Sequence, residues 1–147
     1  MFLSNRGFSF IEIILVVAIV TILALLGSVF YSRFLTQNSV ANTTDHLISQ
    51  LRKAQIYSMM SKQSGGQWGV SYTSSPKQIT FYLNGNSAFN ETYSVNDNIT
   101  ISPEFNAYFG HINGDVHGVG TPLTVTISGN NSSESIILTN QGIVSKN

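Results

Sequence analysis

The sequence predicts an α+β fold in which a long N-terminal α-helix packs on a C-terminal antiparallel β-sheet domain. Three observations predict it. Phe8–Phe30 (FSFIEIILVVAIVTILALLGSVF) is an apolar run interrupted by one charge, Glu12. Tyr31–Ser61 contains neither Pro nor Gly, and its apolar residues recur at steps of three and four, the repeat of a helix with one buried stripe. From Gln67 onward apolar and polar residues alternate, the repeat of strands with one buried face.

A chain of 147 residues is long enough for one domain and an appendage. Seven Lys+Arg balance seven Asp+Glu, and only 10% of residues are charged, against about 25% in an average soluble domain. That balance argues against nucleic-acid binding through a basic surface. The 42% hydrophobic content argues against disorder. The chain has no Cys, which excludes a disulfide scaffold, a thiolate metal site and a cysteine nucleophile.

The apolar run is the first element to justify. It matches the roughly 20 residues that a helix needs to cross a bilayer. A secretory signal peptide has a shorter apolar region, roughly 7–15 residues, and a small-x-small cleavage site after it, which is not evident here. A plain membrane anchor accounts for the length and for Arg6 on the cytoplasmic side. It leaves Glu12 unexplained, since a carboxylate inside the bilayer costs roughly 2.5–3.5 kcal/mol or more. A third reading accounts for all the pieces. Arg6-Gly7, then Phe8, Glu12 and an unbroken apolar helix resemble the N-terminus of type IV prepilins and type II secretion pseudopilins. The resemblance covers Gly7–Gly27 (GFSFIEIILVVAIVTILALLG), with Ser9 and Phe10 where Thr and Leu are commoner.

The resemblance implies a division of the chain and a set of partners. Residues 1–7 would be a leader, removed by a prepilin peptidase that cuts after Gly7 and followed by N-methylation of Phe8. Residues 8–30 would be the transmembrane and filament-core helix, 31–62 its amphipathic continuation, and 63–147 a β-rich globular domain of pilin type. Glu12 would pair with the Phe8 amine, either within the helix or on a neighbouring subunit. The implied partners are the peptidase, other pilin or pseudopilin subunits, an inner-membrane assembly platform and the lipid bilayer. The implied location is the bacterial cytoplasmic membrane, crossed once with the C-terminal domain outside, and then a pilus or pseudopilus. A membrane-anchored extracytoplasmic binding module that does not polymerise is the alternative.

The helix continues beyond the apolar run on a stripe of Val40, Leu47, Ile48, Leu51, Ala54 and partly Tyr57, with Thr44 filling one step. Arg52 and Lys53 are expected on its solvated side, and Gly65-Gly66 is expected to end the helical pattern. Many family members have a proline early in the mature helix; here Val29 stands there, and Gly27-Ser28 is the only soft point. Strands are expected at Trp68–Tyr72, Gln78–Leu83, Thr92–Val95, Ile99–Ile101, Leu123–Ile127, Ser135–Thr139 and Ile143–Val144, forming a meander. Phe105–Gly120 reads as irregular and Gly129–Glu134 as a turn. The segment from Leu51-Arg52-Lys53-Ala54 to Gly69-Val70, with Ile137 through Gly142 and Val144 later, is similar to the GspH/FimT-like branch of the same family. That branch implies a minor subunit. The absence of a C-terminal Cys pair departs from many major pilins.

No enzyme is expected, and no cofactor. His111, Asp115 and His117 form an H-x3-D-x-H cluster whose imidazoles and carboxylate are metal-ligand types, but glycines surround it and it reads as a polar surface loop. There is no G-x-S-x-G elbow and no P-loop. Arg33, Arg52, Lys53, Lys62, Lys77 and Lys146 are too scattered to support nucleic-acid binding. The leader reading makes one prediction. Intact-mass analysis of the membrane-extracted protein from cells with an active prepilin peptidase should show loss of Met1–Gly7 and one added methyl group. An unprocessed N-terminus would refute it.

Overall fold

The computed structural model describes residues 9–62 and 66–147. Tertiary contacts divide the chain into two compact units, Met1–Leu35 and Thr36–Asn147. One helix, α1 (Phe10–Met59), supplies residues to both. The second unit adds strands β1 (Trp68–Ser74), β2 (Lys77–Leu83), β3 (Asn86–Ser94), β4 (Thr100–Ser102), β5 (Phe105–Phe109), β6 (Val116–His117), β7 (Leu123–Gly129), β8 (Ser132–Leu138) and β9 (Val144–Lys146). The chain is therefore α+β, a long N-terminal helix packed on an antiparallel β domain.

The helical stripe of the second unit is Val40, Thr44, Leu47, Leu51, Ala54 and Ser58, at steps of 4, 3, 4, 3 and 4, each at most 1% exposed. Two of its positions are hydroxyls, and each is satisfied. Thr44 Oγ1 donates to the Val40 carbonyl at 2.9 Å. Ser58 Oγ accepts the N–H of Trp68 at 2.7 Å, and the Trp68 indole donates to the Lys62 carbonyl at 3.1 Å. These two bonds fasten the end of α1 to the start of β1. The chain must turn back between them, so α1 stops at Met59 and Ser61 takes φ 50°, ahead of the glycine pair expected to end it; Gly65 lies outside the described residues. Ile48 and Tyr57 flank the stripe as expected, partly buried against the core, and Ser58 extends it by one further step, its buried hydroxyl tolerated because it is hydrogen-bonded.

The strands form two antiparallel sheets in place of one meander: β3-β2-β1-β5-β6 and β4-β7-β8-β9. After β3 the chain crosses to the second sheet for β4, returns for β5 and β6, and crosses again. The segment expected to be irregular holds β5 and β6, because Phe105, Ala107 and Phe109 alternate inward. The turn expected over Gly129–Glu134 shrinks to Asn130-Asn131, since Gly129 already pairs with Ser132. Both sheets and the helical stripe contribute to one hydrophobic core, with Trp68, Val70, Tyr72, Ile79 and Phe81 from the first sheet and Val125, Ile127, Ile136 and Leu138 from the second.

Strand β3 is an edge, exposed along its length, yet one of its faces meets the helix. Phe89 packs edge-on to Trp68, Glu91 pairs with Lys53 at 2.7 Å, and Tyr93 stacks on His46 with centroids 4.1 Å apart. Lys53 is thus drawn off the solvated side where it was expected, and its Nζ stands 4.2 Å from the Phe81 ring centroid. Burial, and then the charge of Lys53, lower the His46 pKa, which favours the neutral ring that stacks on Tyr93.

Ser58 yields a stability prediction. Ser58→Ala leaves the buried Trp68 N–H unpaired, which costs about 1–3 kcal/mol. Ser49→Ala, at an exposed position of the same helix, should change stability by less than about 0.5 kcal/mol. Denaturant unfolding followed by the fluorescence of the single Trp measures both. Equal stabilities of the two variants would remove the role assigned to Ser58.

Candidate functional site

The first unit has no stripe. From Phe10 to Leu25 every described side chain is exposed, and the large apolar ones range from 48% to 80% exposure. A helix apolar all round its circumference is suited to a core or a bilayer, not to water. Its backbone groups bond within the helix, which is what hydrocarbon demands of a spanning segment. The 21 residues from Phe10 to Phe30 rise about 31 Å at 1.5 Å per residue, against a hydrocarbon thickness of about 30 Å. The polar Thr21 is accommodated by donating its hydroxyl to the Val17 carbonyl at 2.8 Å. The helix is long and apolar enough to cross a membrane near the N-terminus.

Glu12 is the one charged side chain between Phe10 and Ser32 and lies in the first turn of α1. Its backbone N–H donates to the Ser9 carbonyl at 3.0 Å, and that of Ile13 to the same oxygen at 3.2 Å, so Ser9 caps the helix through its backbone. A carboxylate in the first turn is favoured by the helix dipole. Glu12 is exposed and has no side-chain partner among the described residues. Gly7 and Phe8, the expected cleavage and methylation positions, lie outside the described residues, as does the expected pair between Glu12 and Phe8.

The glycine-rich loop brings two of its three polar residues together. Asp115 Oδ2 lies 2.9 Å from His117 Nε2, and the His117 ring stacks on Tyr108 with centroids 5.5 Å apart. His111 is not part of that pair, and among the described residues no group of three His, Cys, Asp or Glu side chains converges. The glycines shape this loop for closure against the helix. Gln55 Nε2 donates to the carbonyls of Gly114 and Gln141, each at 3.2 Å, holding the β5–β6 loop and the β8–β9 turn. Gly114 and Gly142 both have positive φ, 65° and 76°, and a Cβ on either would strike the Gln55 side chain. The Val116 N–H donates to the Asn140 carbonyl at 2.9 Å, joining the two sheets at the same place. Sequence reasoning passed over Gln55, whose role depends on loops 59 and 86 residues away.

The lysines are each spent at a different place. Lys53 holds Glu91, Lys62 covers the Tyr57 ring at 3.8 Å, and Lys77 donates to the Asp97 and Ile99 carbonyls at 2.7 and 3.0 Å. Lys146 meets Glu134 at 2.8 Å and Asp45 at 3.9 Å. Burial raises the Glu134 pKa, but the hydrogen bond and the charge of Lys146 outweigh it, and the net direction is down. No family model, curated protein or solved structure matches the chain.

The Asp115–His117 pair makes a prediction about metals. Two half-exposed ligands in a loop lack the three or four that a tight site supplies. Calorimetry on the full chain with zinc, nickel and calcium should show no saturable heat at micromolar concentrations. Micromolar binding lost in His117→Ala would overturn this.

Proposed function

We propose that the chain is a structural subunit, a minor pilin or pseudopilin, of a type IV pilus-like or type II secretion-like filament. On this reading a prepilin peptidase cuts between Gly7 and Phe8, Phe8 is N-methylated, and the bacterial cytoplasmic membrane holds the helix until an assembly platform adds the subunit to the filament. The globular unit is extracytoplasmic and catalyses nothing. The observation that carries the reading is a helix apolar on every side whose one charge, Glu12, stands in its first turn, behind an Arg6-Gly7-Phe8 junction. The same surface serves in lipid before assembly and among neighbouring helices after it. Cleavage creates an ammonium at Phe8, and a buried ammonium and a buried carboxylate are each tolerable only when paired.

The test is Glu12→Leu. In a plain anchor, including one that carries a non-polymerising binding module, the change removes a charge whose cost rises toward about 2.5–3.5 kcal/mol at the bilayer centre, and leaves insertion intact or improved. In a filament it strands the neighbour's Phe8 amine. Breaking a buried pair from one side costs about 3–5 kcal/mol, and each 1.4 kcal/mol is about tenfold. Incorporation should fall a hundredfold or more while membrane insertion persists. Quantitative blotting of membrane and sheared-filament fractions measures this. Recovery of the variant in filaments at wild-type levels would refute the role given to Glu12.

A further inference from the structure

The outer face of the five-stranded sheet carries a row of rings. Gly69 on β1 pairs with Tyr82 on β2 and with Tyr108 on β5, and Tyr108 pairs with His117 on β6. Four strands thus place Tyr82, Gly69, Tyr108 and His117 in one line. Gly69 is the floor for the first ring: a Cβ there would stand 2.6 Å from both Cζ and Oη of Tyr82. Tyr82 therefore lies down across β1 instead of standing off the sheet. The adjacent row is Thr80, Ser71 and Asn106, two hydroxyls and a carboxamide on the same face.

Tyr82 and Asn106 are locked together. The Tyr82 hydroxyl donates to Asn106 Oδ1 at 2.5 Å, which orients the amide and leaves its two N–H donors without a partner among the described residues. Burial, with a smaller contribution from the Tyr108 phenol, pushes the Tyr82 pKa up to about 12, so the hydroxyl remains a donor near neutral pH. Beside this pair lies a depression of about 490 Å³, reaching the β2–β3 turn and lined by Tyr82, Asn106, Asn84, Asn86 and Asn90 with the two hydroxyls. Asn86 Oδ1 accepts the Ala88 N–H at 3.0 Å and Asn84 Nδ2 donates to Gln67 Oε1 at 3.4 Å, so each keeps the other end of its amide. None of the residues lining the depression is charged.

This combination is selective. An anionic ligand, whether a phosphate, a nucleic acid or an acidic glycan, needs a cation, and the lysines are bonded elsewhere. A purely apolar ligand would strand the carboxamides, at a cost for each one desolvated without a partner. A neutral sugar matches both features: its vicinal hydroxyls donate and accept, as carboxamides do, and its C–H face packs on an aromatic ring. The volume falls within the roughly 300–1,000 Å³ range of small-molecule sites. We propose that the outer face of the five-stranded sheet binds a neutral oligosaccharide, with a sugar ring packed on Tyr82 and its hydroxyls held by Asn106 and Asn90. The site is independent of the helix and of any filament.

The test uses the full chain in a phosphocholine-headgroup detergent, because a glycosidic detergent would itself offer sugars. Saturation-transfer NMR is run with maltotriose, lactose, mannobiose and N,N′-diacetylchitobiose, against sialyllactose, a heparin oligosaccharide and oligothymidylate. At least one neutral sugar should bind saturably, with transfer concentrated on its C–H protons. Asn106→Ala should weaken that binding tenfold or more. Tyr82→Phe keeps the ring but frees the Asn106 amide, and should weaken it by less. Ser49→Ala should leave it unchanged. If circular dichroism shows Asn106→Ala misfolded, the exposed Asn90→Ala supplies the same comparison. A panel without saturable neutral-sugar binding, binding undiminished in the asparagine variants, or preference for the anionic ligands would each overturn the proposal.

Discussion

The buried stripe from Val40 to Ser58 is the constraint on which the second unit depends. Helical geometry lets steps of four and three keep six residues in line, and both sheets contribute to the core built on that line. Leu47 and Leu51 each contribute about 1.5–3 kcal/mol by burial. The hydroxyls of Thr44 and Ser58 work differently. Thr44 returns its hydrogen bond to its own helix and merely avoids a penalty, whereas Ser58 spends its bond on β1 and so fixes where the first sheet begins. Gln55, almost one turn earlier, holds a loop of each sheet, so the last two turns of α1 organise the domain.

The same helix faces a different problem in the first unit. Its apolar residues there do not form a stripe, so no single partner face can cover them. What they need is a surrounding medium, lipid or several helices at once. Within such a medium Glu12 is under opposing forces: the helix dipole favours a carboxylate in the first turn, while desolvation disfavours any charge. A cation supplied from outside the described helix would reconcile them. Under the filament reading, the cation and the need for neighbouring helices arrive together, which makes Glu12 a sensor of assembly as well as a cost of insertion.

Much of the fold was legible because it is local. A long apolar run, a 3-4 repeat and a change to period two all survive without tertiary context. The failures have physical causes. Ser58 occupies a core position with no hydrophobic signal, and only its bond to the Trp68 N–H marks it. The first half of β3 was missed because an exposed edge strand has no apolar alternation, although Asn84-Gly85 is a strong signal for the two-residue hairpin turn that starts it. The glycines after β5 carry a loop signal that outweighs the short Phe105, Ala107, Phe109 alternation. Lys53 finds its partner 38 residues away, and both crossings between sheets are decided by packing. At the candidate sites the contrast is the same: Glu12 stands out as a lone charge in any reading, while the Tyr82 depression exists only once β1 lies between β2 and β5.

Charge economy connects these features. A chain with so few ionic side chains still uses its lysines structurally, on carboxylates, carbonyls and ring faces, where each fixes one strand or helix to another. Exposed surface must then be made soluble by amides and hydroxyls, and the abundance of Asn and Ser follows from that need. Such a surface has little long-range field, and what it offers a ligand is short-range hydrogen bonds and ring contacts. Geometry then matters more than charge, because a carboxamide discriminates only when its orientation is held. On the outer sheet face the Tyr82 hydroxyl holds one such amide, and Gly69 is what allows the tyrosine to reach it. A Cβ at that position would stand 2.6 Å from the Tyr82 ring and equally close to the Ala107 carbonyl of the neighbouring strand, so a bare backbone is what lets the tyrosine lie across β1 and reach the amide without forcing β1 and β5 apart.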